Sequence, residues 1–362
     1  MDAIASPPKL GDDRAIRFTG TWREYLPIAA TNALLIVCTL GIYRFWATAR
    51  QRRYLCSRTH VIDDSLEWTG TGKEMFFGFL IVVTVLAPFF LFIQFVYPAL
   101  LARGKIGPAA AILALFYVAL TFFGGFARFR ALRYRLSRTY WHGIRGGSDI
   151  SGWKYGGNHL GRYALTYATI FIIFPWAMTR LWSARWSAMS FGPLRFDARG
   201  FTAEGLKDYW GLLYAIPLLL VAFAFLMTRL GGGFAVPEAR GFGLAILFIG
   251  LFFMFYVVIP LLTLNWFAAY YRKAAAVTRL GSLEFGFDAT TLEWLGLFLG
   301  NIALAVVTLG FGLTYWGYRN WTFMLRHLEI YGVVDLGELT QSTAHAPREA
   351  EGFADAFDVG AF

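Results

Sequence analysis

Three acidic residues, Glu24, Glu74 and Glu293, each stand three residues after a threonine (Thr21, Thr71, Thr290) at the start of a long apolar run. A carboxylate at a membrane edge can carry a proton or a cation, and acids inside membrane segments are functional candidates by default. The Thr-x-x-Glu spacing has a simpler use. A threonine at a helix start accepts from the third helical N–H, and the glutamate reaches back to the threonine's own N–H. These six residues are therefore expected to be structural caps. Two asparagines, Asn32 and Asn301, sit in the middle of apolar segments. There an amide either bonds a neighbouring helix or lines a polar cavity. Three arginines, Arg50, Arg180 and Arg319, follow apolar segments at one register, near Trp46, Trp176 and Trp316. They are candidates for contact with anionic lipid headgroups or with an anionic solute. Arg128, Arg130, Arg133, Arg135 and Arg138 form a basic run of the same kind.

Other chemistry finds little support. The five histidines are dispersed, and the two cysteines, Cys38 and Cys56, lie in unlike surroundings. No Cys-x-x-Cys or His-Glu-x-x-His spacing occurs, which argues against metal. No Ser-His-Asp or Cys-His arrangement can be drawn from spacing. Gly143–Gly147 lacks the Lys-Ser/Thr of a phosphate loop. The chain is expected to be no enzyme and to need no cofactor or metal.

The elements that would hold these residues are set by composition. Of 362 residues, 57 % are hydrophobic and 19 % aromatic, and only 15 % are charged. A soluble domain carries about 25 % charged residues, and several apolar runs here exceed the roughly 18 residues of a membrane span. The chain reads as a polytopic membrane protein. Residues 1–17 form a polar leader without a cleavable signal peptide. The membrane domain is 18–330, and 331–362 is an acidic polar tail. The net charge of +10 reads as basic loop charge on the inner face rather than as a nucleic-acid surface.

Within the membrane domain one unit recurs near 18–74, 151–208 and 283–330. Phe18, Glu24, Asn32, Thr39, Leu40, Gly41 and Arg50 match Phe287, Glu293, Asn301, Thr308, Leu309, Gly310 and Arg319 without a gap; Thr39, Trp46, Ala47 and Arg50 match Thr169, Trp176, Ala177 and Arg180. Arg162 stands where the other units have asparagine. Two long hydrophobic pairs, 75–127 and 209–266, separate the units. Short alternating stretches (65–69, 193–197, 282–287) read as β-hairpin-like cytoplasmic modules. Seven simple spans would split the 33 Lys and Arg 19 to 14, a weak bias. If the three units turn back inside the membrane, only Arg103, Lys105, Arg229 and Arg240 lie outside, which the positive-inside rule favours. Helix 25–39, at 1.5 Å per residue, is about 22 Å long, short of the ~30 Å hydrocarbon core. Gly41, Pro175 and Gly310 supply the breaks. The expected fold is all-α, with internal repeats, four full spans (75–101, 106–127, 209–228, 242–266) and three re-entrant or kinked helices; seven simple spans is the alternative.

The strings Phe18-Thr-Gly-Thr-x-x-Glu-Tyr25, Asn32-x-Leu-Leu, Thr39-Leu-Gly-Ile-Tyr43 and Trp46-Ala-x-x-Arg50-x-x-Arg-Tyr54, with Phe174-Pro-Trp-Ala-Met178 and Leu325-Arg-His-Leu-Glu329, resemble the YjgN family (domain of unknown function 898) over nearly the whole chain. The resemblance implies a bacterial inner-membrane protein and carries over no activity and no catalytic residue. Two roles are then expected. The first is a transporter or channel-like protein for a small or anionic solute, suggested by repeats, broken helices and the paired asparagines. The alternative is a non-catalytic membrane-organising or envelope protein that binds anionic lipid or protein partners. The bilayer itself, with its anionic headgroups, is the expected partner, and most loops and both termini are expected in the cytoplasm.

Overall fold

A computed structural model describes residues 15–148, 150–230, 249–332 and 340–342. Most of the leader, most of the acidic tail with its Ala356–Phe362 motif, Arg240 and the first part of the 242–266 segment lie outside them. The fold is built from three helical hairpins and two long helix pairs. The hairpins are α1 (Trp22–Cys38) with α2 (Arg44–Ser57), α5 (Gly152–Ala168) with α6 (Phe174–Trp186), and α9 (Thr291–Val307) with α10 (Leu313–His327). The long pairs are α3 (Gly72–Ala102) with α4 (Ile106–Arg138), and α7 (Lys207–Leu230) with α8 (Ile249–Val277). Helices α3, α4 and α8 are each long and apolar enough to cross a membrane, and α7 covers the apolar stretch 209–228.

Each hairpin opens on a helix of 17 residues, about 25 Å at 1.5 Å per residue. The chain then reverses. Tyr54, at the end of α2, donates to the Thr21 carbonyl (3.1 Å) beside the start of α1. The Tyr155 hydroxyl meets the Leu181 carbonyl across α5 and α6, and the rings of Trp294 and Phe323 lie 4.8 Å apart across α9 and α10.

One turn is built at all three reversals. The N–H groups of Gly41, Phe171 and Gly310 donate back to Ile36, Thr166 and Ala305 at 2.7–2.8 Å. Thr39, Thr169 and Thr308 donate their hydroxyls to the carbonyls four residues earlier. At the first and third turns the same hydroxyl also accepts the N–H of Tyr43 or Gly312. Leu40, Ile170 and Leu309 are left-handed, followed by Gly41 at φ +90° and Gly310 at φ +92°. The middle turn differs from expectation. Phe171, with φ 62°, occupies the glycine place. Pro175 does not make the break; it lies in the first turn of α6, where a missing N–H costs no hydrogen bond.

The strands correct the all-α expectation of separate hairpin modules. β1 (Ile16–Phe18), β2 (Thr59–Val61) and β3 (Asp64–Ser65) form one antiparallel sheet. β4 (Glu67–Trp68), β5 (Thr139–Trp141), β6 (Ile144–Gly147), β7 (Ser190–Phe191), β8 (Leu194–Asp197), β9 (Arg279–Leu280), β10 (Leu283–Phe287) and β11 (Leu328–Tyr331) form a second, in that order. Strands from different hairpins therefore pair: Gly146 with Phe191, Phe196 with Leu280, and Phe285 with Ile330. A lone hairpin presents two unpaired edges, and joining them in sequence removes most of these. The Leu66 N–H bonds Thr59 where β3 gives way to β4, and β11 lies against β1. The eleven strands thus encircle one end of the helices. At Gly143, the turn of β5–β6, the carbonyl accepts from the Gln341 amide, so this part of the tail lies on the ring.

The helices close a ring of their own. α2 packs on α3, α4 on α5, α8 on α9, and α10 on α1. Close approach needs small residues. A Cβ at Gly125 would collide with His159, and one at Gly317 with Gln51. At the α10–α1 joint, buried Tyr25 stacks on Tyr318 (5.0 Å) and donates to the Thr314 carbonyl (2.9 Å).

Nothing lies within 4 Å of a Cβ built at Gly310 or at Gly296, and only Gly310 has positive φ. Gly310→Ala is expected to destabilise the purified protein by about 1–2 kcal/mol through backbone strain. Gly296→Ala, inside α9, should stabilise by roughly 0.5–1 kcal/mol. Thermal unfolding of both variants checks this, and shifts of the same sign would show that the left-handed turn is no constraint.

Candidate functional site

The helix ring and the strand ring enclose one chamber of about 1540 Å³, above the ~300–1,000 Å³ of an ordinary small-molecule pocket. Its charge is one-sided. Arg44 and Arg52 reach it from α2, Arg128 and Arg135 from α4, and Arg185 from α6, while no Asp or Glu lines it among the described residues. Arg128 and Arg135, seven residues apart, share one face of α4. Aromatic faces sit against these cations. The Arg52 guanidinium lies 5.0 Å from the Trp68 ring centre and that of Arg185 5.5 Å from Trp182, distances at which the ring quadrupole attracts a cation. Arg128 is 3.2 Å from the His159 Nε2, a buried ring that also lies within electrostatic reach of Arg185.

Asn32, one of the two asparagines expected to line a cavity, is among the residues of this lining. Its side chain is 1 % exposed, its Nδ2 makes a long 3.4 Å bond to the Ala47 carbonyl, and its Oδ1 has no hydrogen-bond partner. A buried carbonyl oxygen without a partner costs free energy comparable to a lost hydrogen bond, so the chamber holds an acceptor waiting for a donor. Asn301 is one layer back. It donates to Asn320 Oδ1 (3.0 Å), and Asn320, not Asn301, lines the chamber. The mid-segment symmetry that suggested a pair of cavity asparagines therefore places one of them. Arg162, their counterpart, bonds Asn158 and lies over Trp176.

The other expected site residues are elsewhere. Arg50 and Arg180 are exposed, and Arg319 donates to the Gly300 carbonyl (3.0 Å); none of the three lines the chamber. The chamber arginines lie at other registers, and only Arg128 and Arg135 belonged to a run the sequence singled out. Thr71 with Glu74 and Thr290 with Glu293 form complete capping boxes. Thr21 caps α1, but Glu24 turns to Tyr54 and Arg58. Glu74 also holds Arg138 at 2.7 Å and the Tyr134 hydroxyl at 2.8 Å, which removes Arg138 from the chamber's charge.

Catalytic chemistry has no visible anchor among the described residues. No group of three or more His, Cys, Asp or Glu could hold a metal. Cys56 lines the chamber, but burial pushes its thiol up to about 12, and a protonated thiol is a poor nucleophile.

Comparison with known proteins adds a family. The description "bacterial protein of unknown function (DUF898)" matches residues 13–356. The chain is 38 % identical over 66 residues to an Escherichia coli protein named Inner membrane protein YjgN, a stretch covering 18 % of this chain and 17 % of that one. A Salmonella typhimurium protein of the same name is 34 % identical over 68 residues, 19 % of this chain and 17 % of the relative. The alignment thus spans less than a fifth of these relatives' length. No solved structure matches.

The two asparagines should part company on mutation. Replacing Asn32 by leucine removes an unpartnered acceptor and should leave thermal stability unchanged or raised. Asn301→Leu strips Asn320 of its donor and should cost about 1–3 kcal/mol. Equal losses in thermal unfolding would mean that Asn32 is a packing residue and not a chamber group.

Proposed function

Since the chain belongs to the DUF898 family of bacterial proteins of unknown function, we propose its role from its own geometry: a transporter or channel-like protein of the bacterial inner membrane, non-enzymatic, that admits an anionic solute to the central chamber. One observation carries the reading. Among the described residues, five arginines and no carboxylate line an otherwise largely apolar chamber. An anion placed among guanidinium groups accepts charge-assisted hydrogen bonds from them.

The layout supports passage toward the bilayer. Hairpins of 17-residue helices are too short to cross a ~30 Å core and return on the strand side. We read them as three copies of one re-entrant module. Turned-back backbone is tolerated at membrane depth where it is buried in protein or faces a wet cavity, and broken, repeated helices are a common way to build a transport site. The loop between α3 and α4, at the far end from the strands, holds only Arg103 and Lys105 as basic residues. By the positive-inside rule the strand ring then faces the cytoplasm. The relatives' name, Inner membrane protein, agrees with the location.

Purified protein in liposomes, offered labelled anions from inorganic phosphate to octyl phosphate, tests the reading. Saturable uptake above protein-free liposomes is expected, falling at least about tenfold in Arg128→Gln/Arg185→Gln, a loss of ~1.4 kcal/mol or more. Absence of uptake by folded wild-type protein would sink it. That result would favour a membrane-organising protein holding anionic lipid, with exposed Arg50 and Arg180 as its available contacts.

A further inference from the structure

His159 is the one histidine lining the chamber among the described residues, and histidine is the side chain whose charge changes near neutral pH. The residue is 3 % exposed. An arginine has donors and no acceptor, so the 3.2 Å contact from the Arg128 guanidinium requires an unprotonated Nε2 on this ring. The ring's one proton is then on Nδ1. The imidazole is wedged in place. It stacks on Tyr163 at 4.3 Å, has Tyr155 at 6.3 Å, and occupies the room that a Cβ at Gly125 would need. The charged and titratable groups that face it are Arg128 from α4, Arg185 from α6, and Tyr155 and Tyr163 from its own helix. Arg185 keeps its own place over Trp182. Among the described residues no carboxylate lines the chamber beside them.

A proton arriving on Nε2 changes both partners. The bond from Arg128 is lost, because two donors then face each other. A third positive charge also joins two others at short range in a protein interior, which is unfavourable. Arg128 can turn aside on its long stem, whereas the wedged ring cannot, so the new N–H stays aimed at the space Arg128 held. An anion settling there accepts from imidazolium and guanidinium together and offsets the added charge. The proton supplies a donor and a charge for the anion, and the anion offsets the charge the proton brings. We propose that the chamber takes up a proton together with its anion, and that His159 is the residue that holds this proton. This deepens the anion reading above by naming a second substrate, and it rests on that reading's site but not on flux. Linkage between two bound species is reciprocal. For one linked proton, affinity for the anion should rise by up to about tenfold for each unit by which pH is lowered. If the chamber carries its anion across the bilayer, the proton crosses with it.

Calorimetric titration of the full-length protein in phosphatidylcholine nanodiscs with sulfate tests this, with empty nanodiscs as the background. Sulfate keeps one charge state across the range, about pH 5.5 to 8, in which histidine titrates, so a pH effect belongs to the protein. Saturable binding is expected, at least about tenfold tighter at the acid end, and titrations in two buffers of unlike ionisation enthalpy should count about one proton taken up per sulfate bound. His159→Gln keeps an oxygen that can accept from Arg128 but cannot carry the proton. Its sulfate affinity should vary less than about twofold over the same range, with no proton taken up. His142→Gln, in the β5–β6 turn and outside the chamber lining, should keep the wild-type pH dependence. The proton count uses wild-type protein, so a variant that misfolds does not decide the outcome. Sulfate binding that is independent of pH and takes up no proton would overturn this proposal and leave the anion reading standing. Proton-linked binding that persists in folded His159→Gln would overturn the assignment to His159. No saturable binding at either end of the range would overturn this proposal together with the anion reading.

Discussion

A chain that reverses between two apolar helices must still satisfy the backbone groups at its turn. That constraint shapes this protein. At the three reversals the same residues meet it: a threonine hydroxyl bonds the carbonyl four residues back, and an N–H two residues after that threonine bonds further back still. The second bond requires left-handed backbone. Glycine accepts that at no steric cost, and two turns use it. The middle turn sets Phe171 there instead and holds it from outside. Its carbonyl accepts from the Trp210 indole at 2.9 Å, and its ring packs on Tyr167 at 5.2 Å. A strained residue persists where its surroundings over-determine it, so the strain in the second hairpin is supported by α7.

Everything else follows from hairpins that return to their starting side. Because both ends of each hairpin and the inner ends of both long pairs arrive at one level, the short strands that follow them are brought side by side and pair across units. The strand ring and the helix ring are therefore one assembly seen at two depths. At the last joint the strands close by contact alone, while the helices also use hydrogen bonds, from Tyr25 to the Thr314 carbonyl and from Thr314 to the Ala29 carbonyl. β11 meets β1 by contact, and α10 meets α1 through Tyr25, Tyr315 and Tyr318 stacked within 5.0–5.6 Å of one another. Aromatic packing of this kind adds a directional term to plain burial, and it fixes the width of the space inside.

Much of this was legible because it is local. The Thr-x-x-Glu caps, the apolar runs, the turns at Gly41 and Gly310 and the imbalance of basic residues all depend on neighbours within a few positions. Pro175 misled because a proline signals a helix boundary without saying on which side. The chamber was largely illegible. Arg44, Arg52 and Arg185 sit in basic loop-like stretches that resemble Arg50 and Arg180, and only helix phase against neighbouring elements decides which guanidinium turns inward. Asn320 was missed because it follows Arg319 in a polar stretch, yet it is the residue through which Asn301 reaches the chamber. The joining of strands from different units depends on contacts more than fifty residues apart in several cases, such as Phe196 with Leu280, and no local pattern announces that.

The ring is also unequal, and the inequality places the charge. A long pair stands between the first and second hairpins and another between the second and third, but the third hairpin meets the first directly. Among the described residues the cations come from α2, α4 and α6, whereas α8 and α10 contribute Phe267, Tyr270, Tyr271, Trp321 and Met324 to the same wall. Tyr270 spends its hydroxyl on the Met178 carbonyl, so its face toward the chamber is mainly aromatic. The described cations thus line the part of the wall built by the first two hairpins and α4, and the lining from α8 and α10 is mostly aromatic and aliphatic.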